Sequence, residues 1–101
     1  MAGELDVSGA ETIIHIQGKF VFADVYRDFR VAYESHEFVD ASARVVNMGG
    51  VEVIDSSGLA MLLEMREFLG GETANISIVG PNYQIHNILN VAGFDKLFSM
   101  G

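Results

Sequence analysis

The sequence predicts a single α/β domain whose β-sheet is mixed but mostly parallel, with an antiparallel β-hairpin at the N-terminal edge. Short apolar segments typical of strands alternate with longer segments in which apolar residues recur at helical spacing. The first two strand-like segments follow one another closely, whereas the later ones are separated by predicted helices, as parallel crossovers require. With 101 residues, half of them hydrophobic, the chain suits one compact domain spanning residues 1–101.

The charge balance argues against two classes of partner. Six lysine and arginine residues stand against 14 aspartate and glutamate residues, which gives a formal net charge of -8. Nucleic acids and anionic membrane surfaces both attract clustered cations, so we expect neither nucleic-acid binding nor direct membrane contact. No apolar run approaches the ~20 residues needed to span a bilayer. The N-terminal residues lack the basic and apolar regions of a signal peptide, so the expected location is the cytoplasm.

Cysteine and histidine usage argues against metal and thiol chemistry. The chain contains no cysteine, which rules out disulfides, thiol catalysis and Cys-bearing zinc sites. His15, His36 and His86 lack the spacing of metal ligands, and the acidic residues are scattered rather than gathered in a calcium-binding loop. We therefore expect neither a metal nor a cofactor.

Two strands are predicted before the first helix. Leu5 and Val7 alternate with polar residues, and a stronger strand begins at Thr12, with Ile14 and Ile16 on one face. The short Gly-containing segment 8–11 between these strands predicts a β-hairpin.

The segment after Gly18 is unusually apolar for a loop. Gly18 interrupts the strand pattern and is followed by Lys19, Phe20, Val21 and Phe22. The three apolar residues either plug one end of the core or leave Val21 or Phe22 exposed at a partner surface. The sequence leaves both interpretations open.

The first helix is predicted to start at Ala23-Asp24 and to be closed by residues 35–37. Its outer side would carry charged residues. The residues predicted for its inner side are Val25, Phe29, Ala32 and Tyr33.

A buried strand is predicted over residues 45–48, followed by a flexible turn at Gly49-Gly50. The next segment, residues 51–71, is the centre of the sequence: an apolar approach, a tight polar turn and a helix of about 13 residues, about 20 Å long. Asp55 and the serines after it suit an N-cap, because their side-chain oxygens accept hydrogen bonds from unpaired N–H groups of the first turn. Gly70-Gly71 would end the helix.

This central helix carries two apolar stripes. The stripe expected to face the core consists of Leu59, Leu62, Leu63 and Leu69. Met61, Met65 and Phe68 recur at i, i+4 and i+7 on a neighbouring face. The second stripe either widens the core or forms an exposed patch, because methionine-rich surfaces adapt well to partners.

The turn Asp55-Ser56-Ser57-Gly58 has three interpretations. It is a helix cap and nothing more, or one serine accepts a phosphate, which a helix N-terminus favours. The third interpretation makes one serine a catalytic nucleophile, which requires a nearby base and an oxyanion hole. The turn is not a G-x-S-x-G elbow, and no histidine motif completes a triad, which argues against catalysis.

The C-terminal part of the chain contributes a strand over residues 76–79 and a further helix. Gly80-Pro81-Asn82 marks a turn and the helix start, and Gly93 ends the helix. The apolar residues expected to pack on the core are Ile85, Ile88, Leu89 and Ala92 in the helix, and Phe94, Leu97 and Phe98 in the tail, before one short final strand.

These features together resemble the STAS domain family, and in particular its small free-standing bacterial anti-sigma-factor antagonists (anti-anti-sigma factors). The resemblance rests on the element order, on Gly18 after the second strand, on the D-S-[ST]-G-L turn in residues 53–59 and on the tail motif in residues 92–98. It covers nearly the whole chain. It implies a STAS fold with helices packed mainly on one face of the sheet.

The resemblance implies a partner-switching protein rather than an enzyme. In that family the first serine after the aspartate is phosphorylated by a serine kinase that is itself the anti-sigma factor. The unphosphorylated antagonist binds this kinase and frees the sigma factor, and a PP2C-type phosphatase restores that form. Carried over to this chain, the acceptor is Ser56, the second choice is Ser57, and the switch turn consists of Asp55, Ser57 and Gly58.

The same resemblance implies a partner-binding surface over residues 19–24 and 55–65. The expected contact residues are Val21, Phe22, Asp24, Leu59, Met61 and Met65. Val21 stands where the family often has an acidic residue, which leaves nucleotide binding without support. The alternative function is that of a free-standing STAS accessory subunit of a lipid or anion transporter. A weak homodimer is left open.

Overall fold

Five strands form one sheet in the computed structural model, which describes the backbone of residues 3–8 and all of residues 11–100. The elements are β1 (Gly3–Ser8), β2 (Glu11–Phe20), α1 (Phe22–Glu34), α2 (His36–Val39), β3 (Ala43–Ile54), α3 (Ser56–Phe68), β4 (Ile76–Val79), α4 (Tyr83–Val91) and β5 (Ser99–Met100). Short 3-10 turns occupy Gly71–Thr73 and Phe94–Lys96.

The strands lie in the sheet in the same order as in the sequence. β1 is antiparallel to β2, and β2 to β5 are parallel to one another. Right-handed crossovers that all advance in one direction place their helices on the same face of a sheet. The predicted fold class is confirmed, including the antiparallel hairpin pairing and the mostly parallel sheet.

The core lies on the helix-covered face of the sheet. Along β2 the alternate residues Thr12, Ile14 and Ile16 are buried, whereas Ile13 and His15 on the other face are only half-buried. The period of two expected for a strand with one buried face is therefore present.

α1 adds aromatic packing to this core. The four residues predicted for its inner side are all buried, namely Val25, Phe29, Ala32 and Tyr33. Phe29 meets Phe20 and Tyr33 edge-on, with ring centroids 5.1 and 5.2 Å away. Aromatic pairs favour such arrangements over direct face-to-face stacking.

Residues 35–37 end α1 as predicted and also begin an unpredicted element. The Ser35 hydroxyl donates to the Ala32 carbonyl at 2.7 Å and accepts the Phe38 N–H at 3.3 Å. This cap starts the four-residue helix α2, which places Phe38 in the core. A helix of one turn has too few residues to show periodicity in the sequence.

The prediction of a turn at Gly49-Gly50 is wrong, because β3 continues through both glycines. Gly50 pairs with Gln17 of β2 after a register shift, which marks a β-bulge. A Cβ atom on Gly50 would lie 3.2 Å from the Ile16 carbonyl oxygen. The glycine therefore allows the two strands to approach closely, rather than bending the chain.

The buried face of α3 also differs from the predicted leucine stripe. Leu62 is buried, but Leu63 is exposed, and Leu59 and Leu69 are half-buried. The residues that meet the core are Gly58, Met61, Leu62 and Met65, which follow i, i+3, i+4 and i+7. The helix is therefore rotated about its axis relative to the prediction, with the methionines facing inward.

The C-terminal elements follow the prediction with exceptions on α4. Asn82 caps α4 by accepting the Ile85 N–H at 2.9 Å. The residues buried as predicted are Ile85, Leu89, Phe94 and Phe98, whereas Leu97 is half-buried. Ile88 and Ala92 are exposed instead, because the face of α4 that packs on the core is narrower than the apolar pattern suggests.

Some expectations lie outside the described residues. They concern the side chains of Leu5 and Val7 and the loop residues Gly9 and Ala10. Within residues 3–8 and 11–100, no helix has both the length and the apolar character needed to cross a membrane.

Candidate functional site

Asp55 organises the turn between β3 and α3. It is the N-cap of α3, and its Oδ1 atom accepts three hydrogen bonds. The donors are the Ser57 N–H at 2.9 Å, the Gly58 N–H at 3.1 Å and the Ser57 hydroxyl at 2.6 Å. Two N–H groups that a helix N-terminus would otherwise leave unpaired are thereby satisfied. The predicted cap is confirmed.

These hydrogen bonds hold the pKa of the Asp55 carboxyl below its ordinary value. The Ser57 hydroxyl makes the largest contribution, and the Gly58 backbone N–H makes the next. Donors stabilise the ionised carboxylate, and the positive end of the helix dipole acts in the same direction. Asp55 is therefore an ionised cap and a weak base.

The two serines of the turn have different environments. Ser57 is half-buried, and its hydroxyl both donates to Asp55 and accepts the backbone N–H of Phe22 at 2.9 Å. Ser56 is exposed, and its hydroxyl makes no hydrogen bond to any residue that the structure describes. Ser57 thus belongs to the framework of the turn, whereas Ser56 projects from it.

Gly58 brings this turn against the end of β2. A Cβ atom at position 58 would collide with the carbonyl oxygen of Phe20 and would lie 2.8 Å from Cγ1 of Ile54. The missing side chain is what allows the first turn of α3 to lie so close to the end of β2. The sequence holds a signal for this contact, namely a glycine inside a helix where alanine would be favoured.

The apolar residues 20–22, predicted as a loop, form almost none: Phe20 ends β2, Phe22 begins α1, and only Val21 lies between them. Phe20 is fully buried, Val21 is half-buried, and Phe22 is 52% exposed. Phe22 stacks on Tyr26 with ring centroids 4.4 Å apart. Phe20 therefore plugs the core, as one interpretation expected, and Phe22 has the exposure that the other requires. A partner at Phe22 stays a prediction.

Phe22 begins a series of contacts along the outer side of α1. The Tyr26 hydroxyl accepts a hydrogen bond from Arg30 at 3.0 Å, and Arg30 forms an ion pair with Glu34 at 2.8 Å. Residues four apart lie above one another on a helix, which makes this ladder possible. Because the Ser57 hydroxyl holds the Phe22 backbone, the ladder has a fixed position relative to the turn.

Two of the expected contact residues do not reach the surface. Met61 and Met65 are 3% and 0% exposed and belong to the core. The interpretation of these methionines as an exposed adaptable patch is therefore wrong, because α3 packs on the sheet through the face that carries them. Asp24 is exposed and Leu59 is half-buried, so both remain accessible around the turn.

A cleft of about 570 Å³ lies beside the end of β2 and the start of α1. Its lining residues are Gln17, Gly18, Lys19, Asp24, Val25, Asp28, Gly50 and Glu52. Three carboxylates and one lysine give this lining an acidic character, which disfavours phosphate groups. The cleft therefore lends no support to nucleotide binding.

The described residues also bear on metal binding and catalysis. In residues 3–8 and 11–100, no group of three or more histidine or acidic side chains could hold a metal ion. Two histidine rings lie within hydrogen-bond distance of asparagine side chains. Nδ1 of His15 is 3.0 Å from Nδ2 of Asn47, and Nδ1 of His86 is 3.3 Å from Nδ2 of Asn90.

The Ser57 hydroxyl donates to Asp55, whose lowered pKa makes it a poor general base. This arrangement does not resemble an activated nucleophile.

Comparison with known proteins gives two sequence relationships. The family described as "Mlab, STAS domain" matches residues 4–99. A STAS-domain containing protein of Pseudomonas aeruginosa (strain UCBPP-PA14) is 38% identical over 92 residues, which cover 91% of this chain and 89% of that protein.

Solved structures share the fold. The anti-sigma factor antagonist SpoIIAA in its unphosphorylated form has a TM-score of 0.75 at 13% identity, with 99% of this chain and 88% of that chain covered. The phosphorylated Bacillus SpoIIAA has a TM-score of 0.65 at 14% identity, with coverages of 99% and 91%. A sulfate transporter family protein from Wolinella succinogenes has a TM-score of 0.72 at 22% identity, with coverages of 92% and 79%. The sequence matches and the shared fold lead to one conclusion: this chain belongs to the STAS-domain family.

Proposed function

We propose that this protein is a partner-switching regulator, an anti-sigma-factor antagonist controlled by phosphorylation of Ser56. The unphosphorylated form binds an anti-sigma factor that is a serine kinase, and the phosphorylated form releases it. A PP2C-type phosphatase returns the protein to its binding form. The observation that carries this proposal is the contrast between the exposed Ser56 hydroxyl and the Ser57 hydroxyl, which is engaged in the turn.

A phosphate on Ser56 leaves the fold unchanged in this proposal. Ser56 is the first residue of α3, where the helix dipole favours negative charge. Asp55 already accepts the N–H groups of Ser57 and Gly58, and it is itself negatively charged. The phosphate is therefore expected to project into solvent rather than replace the cap.

The projecting phosphate explains how one modification prevents binding. It adds about -1.5 to -2 charges to the surface, on a chain whose formal net charge is already -8. When a partner covers Ser56, this charge must be desolvated or brought near like charge, at a cost of several kcal/mol. Each ~1.4 kcal/mol is a tenfold loss of affinity, so the complex dissociates without any refolding.

The proposed partner contact combines Ser56 with Phe22 at the start of α1. Phe22 is exposed, is stacked on Tyr26 and is held beside the turn through its backbone N–H. Aromatic residues that are fixed in position before binding often dominate interface energies. Val21, Asp24 and Leu59 are proposed to complete the contact.

A protein that shares this fold supports the proposed switch. SpoIIAA, which shares the fold, has been solved in unphosphorylated and phosphorylated forms. Two such forms are what a phosphorylation switch built on this fold requires.

Phosphorylation and binding assays test the proposal. We expect ATP and a candidate cognate serine kinase to place one phosphate on the peptide that contains Ser56, as detected by mass spectrometry, and none on Ser56→Ala. In calorimetry, Ser56→Ala should bind the kinase constitutively, whereas Ser56→Glu should bind at least about tenfold more weakly. Ser42 is an exposed serine at the opposite end of β3, so Ser42→Glu is a matched control that should bind like wild type. Equal affinities for Ser56→Ala and Ser56→Glu would overturn the proposal.

The second candidate function is that of an accessory subunit of a lipid or anion transporter. The observation in its favour is the fold shared with a sulfate transporter family protein at a TM-score of 0.72. Co-purification with a transporter ATPase, together with no phosphate on Ser56 in the kinase assay, would favour this function over the switch. Both candidates are binding modules rather than enzymes.

A further inference from the structure

A shallow groove lies between β3 and α4, directly before the switch turn in the chain. It has a volume of about 400 Å³ and is lined by Glu52, Val53, Ile54, Gln84, Ile85, Asn87 and Ile88. Phe22 begins α1 directly after β2, and β2 lies on the other side of β3 from β4, which precedes α4. The groove is therefore separate from the partner contact proposed above.

The groove has a buried apolar floor and an exposed apolar rim. Ile54 and Ile85 are buried and form the floor, whereas Val53 and Ile88 are 45% and 40% exposed. Val91 lies one helical turn beyond Ile88 and is also exposed, which extends the rim along α4. Contiguous exposed aliphatic side chains around a concavity are typical of binding surfaces.

One side chain fixes the two walls of the groove relative to each other. The Asn82 Oδ1 atom accepts the Ile85 N–H at 2.9 Å and so caps α4. Its Nδ2 atom donates to the Val51 carbonyl of β3 at 3.4 Å. Because both walls are held before any partner arrives, little ordering is needed for binding.

The charge of the groove indicates the chemistry of its occupant. Glu52 is the ionisable residue among those that line it, and Gln84 and Asn87 supply neutral amides. No lysine or arginine belongs to that lining, and the whole chain has a formal net charge of -8. A complementary segment therefore presents aliphatic residues to the floor and a lysine or arginine to Glu52.

We propose that this groove docks an amphipathic helix with a basic flank, contributed by the protein partner. An open apolar trough with a polar edge suits helix-in-groove recognition, with anchors at i, i+3 or i+4 and i+7. The proposal rests on the function proposed above and deepens it by naming the chemistry of the partner segment. Val53 is two residues before Asp55, so a helix in the groove brings the rest of the partner over Ser56. The groove supplies anchoring, and the phosphate on Ser56 decides whether the partner can close over the turn.

A defined peptide tests the groove without the kinase. The probe is a peptide of about 14 residues, long enough to form a helix, with leucine at i, i+3, i+4 and i+7 and lysine on the remaining face. A scrambled peptide of the same composition has no apolar face and serves as the control. In NMR titrations of the full chain, we expect saturable shifts confined to residues 51–56 and 84–91 with the probe, and none with the scrambled peptide.

Variants assign the binding to the groove. Ile88→Asn should weaken the probe at least about tenfold, because it replaces an apolar side chain of the rim by a neutral polar one. Val31→Asn makes a comparable change at a residue that is 67% exposed on α1, so it should bind like wild type. Glu52→Lys alters an exposed charge without touching the core, and it should weaken the probe and reduce the salt dependence of binding.

Three outcomes would overturn the groove proposal: no saturable shifts with the probe, shifts centred elsewhere, or equal losses for Ile88→Asn and Val31→Asn. The kinase plays no part in this titration. A failure of the groove is therefore distinguishable from a failure of Ser56 phosphorylation.

Discussion

The hydroxyl of Ser57 accepts the backbone N–H of Phe22 at 2.9 Å, across a sequence separation of 35 residues. The same hydroxyl donates to Asp55 at 2.6 Å. One small side chain therefore joins the turn before α3 to the start of α1, and the two segments form a single unit. Adjacent serines consequently have different roles, because Ser57 holds this unit together while Ser56 projects from it.

Removing the Ser57 hydroxyl should destabilise the protein. Ser57→Ala leaves the Phe22 N–H without its partner and should lower the free energy of unfolding by about 0.5–1.5 kcal/mol. Ser56→Ala is the matched control and should change it by less than about 0.5 kcal/mol. Urea denaturation measures both values, and hydrogen exchange should be faster at the Phe22 amide only in Ser57→Ala. Identical stabilities of the two variants would contradict the assigned roles.

Acid should weaken the cap at Asp55. The pKa of its carboxyl is lowered in the folded state, so the ionised cap contributes stability above the ordinary value of 3.8. This contribution is lost as pH falls below 3.8 through the lowered folded pKa. Asp55→Asn has no carboxyl to protonate, so the stability advantage of wild type over this variant should shrink over that range. Urea midpoints from neutral to acid pH measure the difference, and an advantage that stays constant would refute the assignment.

Gly58→Ala should destabilise the protein although alanine favours helices. The gain in helix propensity is about 1 kcal/mol, whereas overpacking costs about 1–3 kcal/mol. The atom in the way is the Phe20 carbonyl oxygen, which cannot move unless the end of β2 moves. We expect a net loss of up to about 2 kcal/mol in the free energy of unfolding. Ala60→Gly is the control, because it exchanges the same two residue types at an exposed position of α3 and so measures the difference in helix propensity alone. If Gly58→Ala stabilised the protein, the close contact between position 58 and the Phe20 carbonyl oxygen would be contradicted.

Core and surface positions on α3 should respond differently to truncation. Met65 is fully buried, so Met65→Ala should lower the free energy of unfolding by about 2–5 kcal/mol. Leu63 is exposed, and Leu63→Ala should cost less than about 1 kcal/mol. Thermal and urea unfolding of the two variants provide the comparison. A larger loss for Leu63→Ala would restore the leucine stripe as the buried face.

The sequence predicted those features that depend on local periodicity. The alternation at Ile14 and Ile16 and the spacing of Val25 and Phe29 repeat with the period of their own element, so each face could be assigned without its neighbours. The N-cap at Asp55 was equally predictable, because a cap is formed within a few residues.

The sequence-based predictions were wrong where one residue type is compatible with two different structural environments. Gly50 allows close strand approach instead of a turn, and Met65 fills the core instead of a surface patch. Ile88 continues the apolar pattern of α4 and yet lies on the rim of a groove. In each case the answer depends on which element packs alongside, and that information is absent from a local window of sequence.

The amino-acid sequence by itself determined the order of strands and helices, the helix cap and the placement of two serines at the head of α3. Only the tertiary structure decided which of those serines is accessible. The Ser57 hydroxyl is held in place because it accepts a hydrogen bond from the backbone N–H of Phe22, which is distant in the sequence. This contact exists only after the sheet has brought the ends of β2 and β3 together.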